Sequence, residues 1–244
     1  MNKLLTTLFA IAVTCVTGLA GAQTPPAMPA QAPSAVPPLP PPATGTTQAP
    51  AGAKSIQAKI AMCIGCHGIK GYQASFPEVY RVPMISGQNP KYLVAALTAY
   101  KQGDRKHPTM RAIAYSLSEQ DINDIANYYA ASGVDASQHL ADKPNHEPSA
   151  QVSALLQKAA CVSCHGANFS KPIENFPKIA GQHNDYLFAA LRAYKTENNP
   201  KMGRNNAVMG AVAKMFSNAE LKALSSYVGS LDTELKTVPQ SKFR

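Results

Sequence analysis

Cys63, Cys66 and His67 stand in the order C-x-x-C-H, and Cys161, Cys164 and His165 repeat that order. Two thiols and an imidazole at this spacing suit one chemistry well: the sulfurs add across the vinyl groups of a porphyrin and the imidazole binds its iron. On a helical turn, residues three and four apart share a face, so all three side chains reach the same macrocycle. A bare C-x-x-C pair also fits a redox dithiol, a structural disulfide or half of a zinc site. Here a histidine follows each second cysteine, and the only other cysteine, Cys15, sits in a leader expected to be removed. Two covalent haem c groups are therefore expected, held by Cys63, Cys66, Cys161 and Cys164, with His67 and His165 on the irons.

The sixth iron position decides between electron transfer and catalysis, because a soft methionine thioether closes the site and favours reduced iron. Eight methionines compete for the role. Met110 lies 43 residues after His67 and Met209 lies 44 after His165; each follows an arginine, Arg105 or Arg204, by five and precedes a serine, Ser118 or Ser217, by eight. No other methionine pair aligns in this way, so Met110 and Met209 are the expected sixth ligands. The alternative is that one or both merely fill the pocket. His107 is a minor rival, three residues before Met110. His139 and His146 fall in a connecting stretch and are expected in solvent, as is His183.

These coincidences belong to a tandem duplication. Tyr92 to Lys101 and Tyr186 to Lys195 agree at eight of ten positions, and Pro83, Ile85, Gly87 and Gln88 match Pro177, Ile179, Gly181 and Gln182. Each unit reads as a small helical domain. One helix leads into the motif (55–62 and 149–160), and a second covers about 91–102 and 184–197. A last helix starts at a capping box, Ser118 with Asp121 or Ser217 with Glu220, and continues with one apolar stripe. So short a chain makes a marginal core, and the apo-protein should fold poorly without its macrocycle. Pro83 and Pro177 are candidates to present a carbonyl to the imidazole N–H and fix its tautomer. Arg105 and Arg204 are read as exposed or as partners for haem propionates. Tyr92, Tyr100, Tyr186 and Tyr194 are read as pocket walls. The sequon at Asn168 and Ser170 is read as chance.

The expected organisation is a secretory signal at 1–22, a Pro- and Ala-rich tether at 23–53 holding 10 of the 20 prolines, one domain at 54–133, a linker at 134–148, a second domain at 149–232 and a C-terminal tail at 233–244. Lys3, the apolar run after it and the small residues Ala20, Gly21 and Ala22 carry the signal reading, with an uncleaved anchor as the alternative. The tether has too little apolar surface to offset the entropy of ordering. Formal charge is +9, and both repeats are basic: 9 basic and 5 acidic residues in 54–133, 12 and 6 in 151–244. That balance suits an acidic partner or an anionic membrane surface. Without a basic run or a basic amphipathic stretch, nucleic acid is excluded as a partner.

Taken together, these residues resemble the di-haem class I cytochromes c, the cytochrome c4 family in particular, over about 54–232. The resemblance rests on C-x-x-C-H-G at both motifs, the segments that open at Gly87-Gln88 and Gly181-Gln182, the Arg105/Met110 and Arg204/Met209 pairs and the Ser-capped last helices. It implies an all-α protein of two tandem cytochrome c domains, each wrapped around one covalent haem c with His/Met ligation. It also implies a periplasmic carrier of electrons between a membrane quinol-oxidising complex and a terminal oxidase or another redox protein, with no catalytic residues. Two alternatives stay open: the cytochrome subunit of a periplasmic flavoprotein or quinoprotein dehydrogenase, and a di-haem peroxidase. Two features depart from the family pattern: the proline-rich extension before Lys54, and a four-residue insertion near Thr196 in the second copy.

Overall fold

A computed structural model describes residues 55–137 and 139–240. The expected signal and tether lie outside the described residues. The first half runs α1 (Ile56–His67), β1 (Gln73–Ala74), β2 (Tyr80–Arg81), α2 (Pro90–Gln102), β3 (Arg105–Lys106), α3 (Pro108–Tyr115) and α4 (Glu119–Ala131). The second runs α5 (Ala150–Lys158), α6 (Val162–His165), α7 (Asn184–Lys195), β4 (Gly203–Arg204), α8 (Ala207–Lys214) and α9 (Asn218–Gly229). The all-helical expectation holds, with two-residue strand pairs as the only sheet among the described residues.

Local chemistry sets the ends of these helices. Ser118 and Ser217 open α4 and α9 with complete capping boxes, accepting from the N–H of Asp121 and Glu220. Asn89 caps α2, with proline at its first position, and the left-handed Gly103 closes it. The two copies differ at the motif. In the first, α1 runs unbroken through Cys63 to His67. In the second, the expected single helix stops at Lys158; Ala160 turns left-handed (φ 47°) and a fresh turn, α6, carries Val162–His165.

Each half has its own apolar centre. Ile60, Leu93, Ile125, Ala126 and Tyr129 pack together in the first. Phe169, Leu187, Tyr227, Val228 and Leu231 form one cluster in the second, with Leu155, Phe216, Leu221 and Leu224 beside it. The last helix is tied to the repeated Gly-Gln turn in the same way twice: Gly87 N–H donates to Tyr129 O and Gly181 N–H to Val228 O, both at 2.8 Å. Both glycines have positive φ, and a Cβ on Gly181 would stand 2.5 Å from Leu231 O. Gly181→Ala therefore combines left-handed strain with a backbone collision, and is expected to cost about 2–4 kcal/mol. A thermal melt should show Tm lower by roughly 5–15 °C.

The halves are joined by more than the linker. β3 pairs with β4, setting Arg105 opposite Arg204. Arg81 donates from its backbone and from Nε to Asp185, both at 3.0 Å to Oδ2, and Arg192 reaches Glu78. Residues 233–240, expected as a tail, run back along the first half. Leu235 is buried, Lys236 bridges to Ser86, Lys178 pairs with Glu234 at 2.6 Å and Gln240 Nε2 donates to Tyr128 at 3.1 Å. Leu235 supplies a reason, because burying an apolar side chain after α9 stabilises the docked segment. In the linker, His139 and His146 are both exposed as expected, and His146 Nε2 also meets Ser230 Oγ at 3.1 Å.

Candidate functional site

The interior between these helices is a cavity of about 520 Å³ that extends through both halves. Its walls include Cys63, Cys66, His67 and Met110 from the first half and Cys161, His165 and Met209 from the second. Cys164, the eighth expected residue, is half-buried, and all four thiols of the two motifs are free. Burial raises the Cys63 thiol to about 11 and shifts Cys161 the same way.

The imidazoles are held identically. His67 Nδ1 donates to Pro83 O and His165 Nδ1 to Pro177 O, each at 2.9 Å. The proline carbonyls therefore fix the Nδ1–H tautomer, as expected from the two aligned prolines, and leave Nε2 as the free lone pair. Burial pushes both imidazoles below the ordinary histidine range and outweighs the carbonyls, which act the other way. A neutral imidazole with one free nitrogen is the form that binds a metal.

Met110 and Met209 sit on α3 and α8, two short helices that the apolar pattern did not disclose. Each occupies the third position of its helix, and its N–H is capped: by His107 Nδ1 at 3.3 Å and by Asn206 Oδ1 at 2.9 Å. The shared role assigns His107 to capping. With Nδ1 accepting the Met110 N–H, the ring proton lies on Nε2 and no lone pair remains for iron. His183 also stands at a helix start, ahead of α7.

Between the halves lies a cluster whose burial was not foreseen. Arg105 is buried and Arg204 partly so. Their guanidiniums share the Tyr186 hydroxyl, at 3.4 and 3.1 Å, and Arg105 also donates to Tyr92 at 3.2 Å. Arg105 lies 4.6 Å from the Tyr100 ring centre and Arg204 5.3 Å from that of Tyr194, so the repeat is mirrored side chain for side chain. No carboxylate pairs with either arginine among the described residues, and Arg105 Nε is buried without a partner. Burial alone would raise the Tyr186 phenol, but the two guanidiniums outweigh it and draw it down. Two confined cations facing only tyrosine hydroxyls and rings are short of anions. The carboxylates of haem propionates answer that need, and the donor set of cysteine pairs and imidazoles answers the rest. The chain thus fits the group its motifs call for.

Asn168 is buried, donating to Ala141 O at 2.7 Å and accepting from Ser170 N–H at 2.9 Å, so the sequon is a turn and no glycan acceptor.

The family model for cytochrome c matches the chain twice, at residues 49–131 and 149–232. Cytochrome c4 of Stutzerimonas stutzeri is 31% identical over 202 residues, covering 77% of this chain and 93% of that protein. A thiosulfate dehydrogenase electron acceptor of Thiomonas intermedia is 27% identical over 192 residues, covering 75% and 84%. Among solved structures, cytochrome c4 of Acidithiobacillus ferrooxidans superposes with a TM-score of 0.52 at 26% identity, covering 70% of this chain and 99% of that one.

Proposed function

The chain belongs to the cytochrome c family as a two-domain member of the cytochrome c4 kind, and from that premise we propose a periplasmic carrier with two His/Met-ligated haems. It is a di-haem electron carrier holding two covalent haem c groups, one per half. When bound, each haem supplies a one-electron ferric/ferrous couple. The protein's own residues would anchor, orient and enclose the group: Cys63, Cys66, Cys161 and Cys164 would attach the macrocycles, His67 and His165 would bind iron through Nε2, and Met110 and Met209 would supply the thioether ligands. Arg105, Arg204, Tyr92 and Tyr186 would neutralise and hold the propionates.

One observation carries this reading: the two halves repeat the same construction, a carbonyl-held imidazole and a methionine on a capped short helix. A peroxidase needs one iron left open, and such symmetry argues against it. The donor side is read as a membrane quinol-oxidising complex and the acceptor as a terminal oxidase, reached through the basic surfaces of both halves. A second reading has specific support, since one relative is a thiosulfate dehydrogenase electron acceptor: here the donor would be a periplasmic dehydrogenase. Among the described residues no helix is long and apolar enough to cross a membrane. Periplasmic placement rests on the signal-like start and on haem of this type being attached outside the cytoplasm.

Redox-titrated optical and magnetic spectra of the purified protein test the proposal. Two low-spin couples, each with the weak Met-to-iron band at the red edge, are expected. High-spin ferric iron in either half, with rapid peroxide turnover, would replace the carrier with an enzyme. Mixing the oxidised protein with a reduced dehydrogenase or a quinol-oxidising complex separates the donors by rate.

A further inference from the structure

The peptide between Pro83 and Met84 has both of its polar groups engaged. Its carbonyl accepts the His67 N–H at 2.9 Å, and its N–H donates to Gln182 Oε1, from the other half, at 3.0 Å. The repeat mirrors this: the carbonyl between Pro177 and Lys178 accepts the His165 N–H at 2.9 Å, and its N–H donates to Gln88 Oε1 at 2.8 Å. Each glutamine closes a two-point clamp, with Nε2 donating to Met84 O at 2.8 Å and to Lys178 O at 2.9 Å. Each Oε1 also accepts the N–H of the following residue, Asn89 at 2.8 Å or His183 at 3.0 Å, and both side chains are buried. An oxygen that accepts two N–H groups cannot be exchanged for the amide nitrogen, so the orientation of each amide is fixed.

We infer that Gln88 and Gln182 are crossed positioning residues, each setting the electron affinity of the haem in the opposite half through one peptide unit. The inference rests on the proposed axial roles of His67 and His165. A peptide whose N–H donates strongly carries more negative charge on its carbonyl oxygen, because hydrogen bonds in series polarise one another. That oxygen pulls harder on the imidazole N–H and makes the ring a more basic ligand. A more basic ligand stabilises ferric iron and lowers the potential. Gln182 therefore acts on the first-half haem and Gln88 on the second. The two couples are tuned to their working values only while the halves are docked.

Four single variants of the full-length haem-loaded protein test this by redox titration, with the His67 and His165 ring N–H protons followed by NMR in the reduced state. Gln182→Leu should raise the first-half potential, shifting the equilibrium between the two haems by about two- to tenfold, and move only the His67 proton. Gln88→Leu should raise the second-half potential and move only the His165 proton. Gln182→Glu keeps the accepting oxygen and should leave the first-half potential unchanged or lower. Arg81→Ala, which loosens the contact with Asp185 without touching either peptide, should move neither couple. Shifts in the variant's own half, equal shifts in both halves, or the same sign for Leu and Glu would overturn the inference. Loss of the His-ligated low-spin spectrum in the unsubstituted protein would instead remove the axial assignment beneath it.

Discussion

Replacing Cys63 and Cys66 together by alanine yields a protein with one haem adduct by mass and with its first half unfolded. The reason is volume. The first-half core cluster has only five buried residues, and a cavity of about 520 Å³ runs through the two halves. At roughly 24 cal/mol per Å³, leaving the whole of it empty would cost about 12 kcal/mol, as much as the entire stability of an ordinary domain. Even a half share would be ruinous for a unit of this size. A chain in that position stays open rather than enclose a void. Circular dichroism should show the loss of a large part of the helix signal contributed by α1 to α4, and limited proteolysis should cut the first half while sparing the second. Full helicity with a single haem would show that the core closes without its macrocycle. The matching pair, Cys161→Ala with Cys164→Ala, should exchange the roles of the halves.

What could be read from the sequence was what is local or repeated. The spacing of the motifs, the capping boxes at Ser118 and Ser217 and the aligned prolines each depend on residues within a turn or on a match at nearly constant offset. The carbonyls of Pro83 and Pro177 stand where that alignment put them. The helices bearing Met110 and Met209 escaped notice because each is only eight residues long, and one is opened by a histidine, a type seldom counted as a cap. Contacts between the halves were invisible for a different reason. Arg105 pairs in register with Arg204, about a hundred residues away, so a local window suggests a solvated arginine where the structure buries one. The repeated Gln88 and Gln182 were visible as a match, yet their partners lie in the other copy. Exact repetition of a polar residue in both halves was the available signal: a surface glutamine has no reason to recur at the same place.

Met209→Leu should turn the second half from a carrier into an open iron site while leaving the fold in place. Leucine conserves volume, so the substitution costs under about 1.5 kcal/mol. What disappears is the thioether. Axial ligands set haem potentials over a range of roughly 0.8 V, and losing the ligand that favours reduced iron should lower the second-half potential by about 0.1–0.3 V. At 59 mV per decade that is on the order of a hundredfold or more against reduction. The red-edge band should halve, a high-spin ferric signal should appear, and small ligands such as azide or peroxide should bind. The second half is the better place for this test. In the first, His107 lines the cavity beside Met110 and its imidazole offers a substitute once the cap is given up, at about 1 kcal/mol. In the second, the cap is Asn206, which iron does not take. Met110→Leu is therefore expected to drift towards a bis-imidazole spectrum, and Met110→Leu with His107→Asn to reproduce the open site. An unchanged potential and an intact band in Met209→Leu would mean that the sulfur only fills space, and that the iron's sixth partner lies elsewhere in the second half.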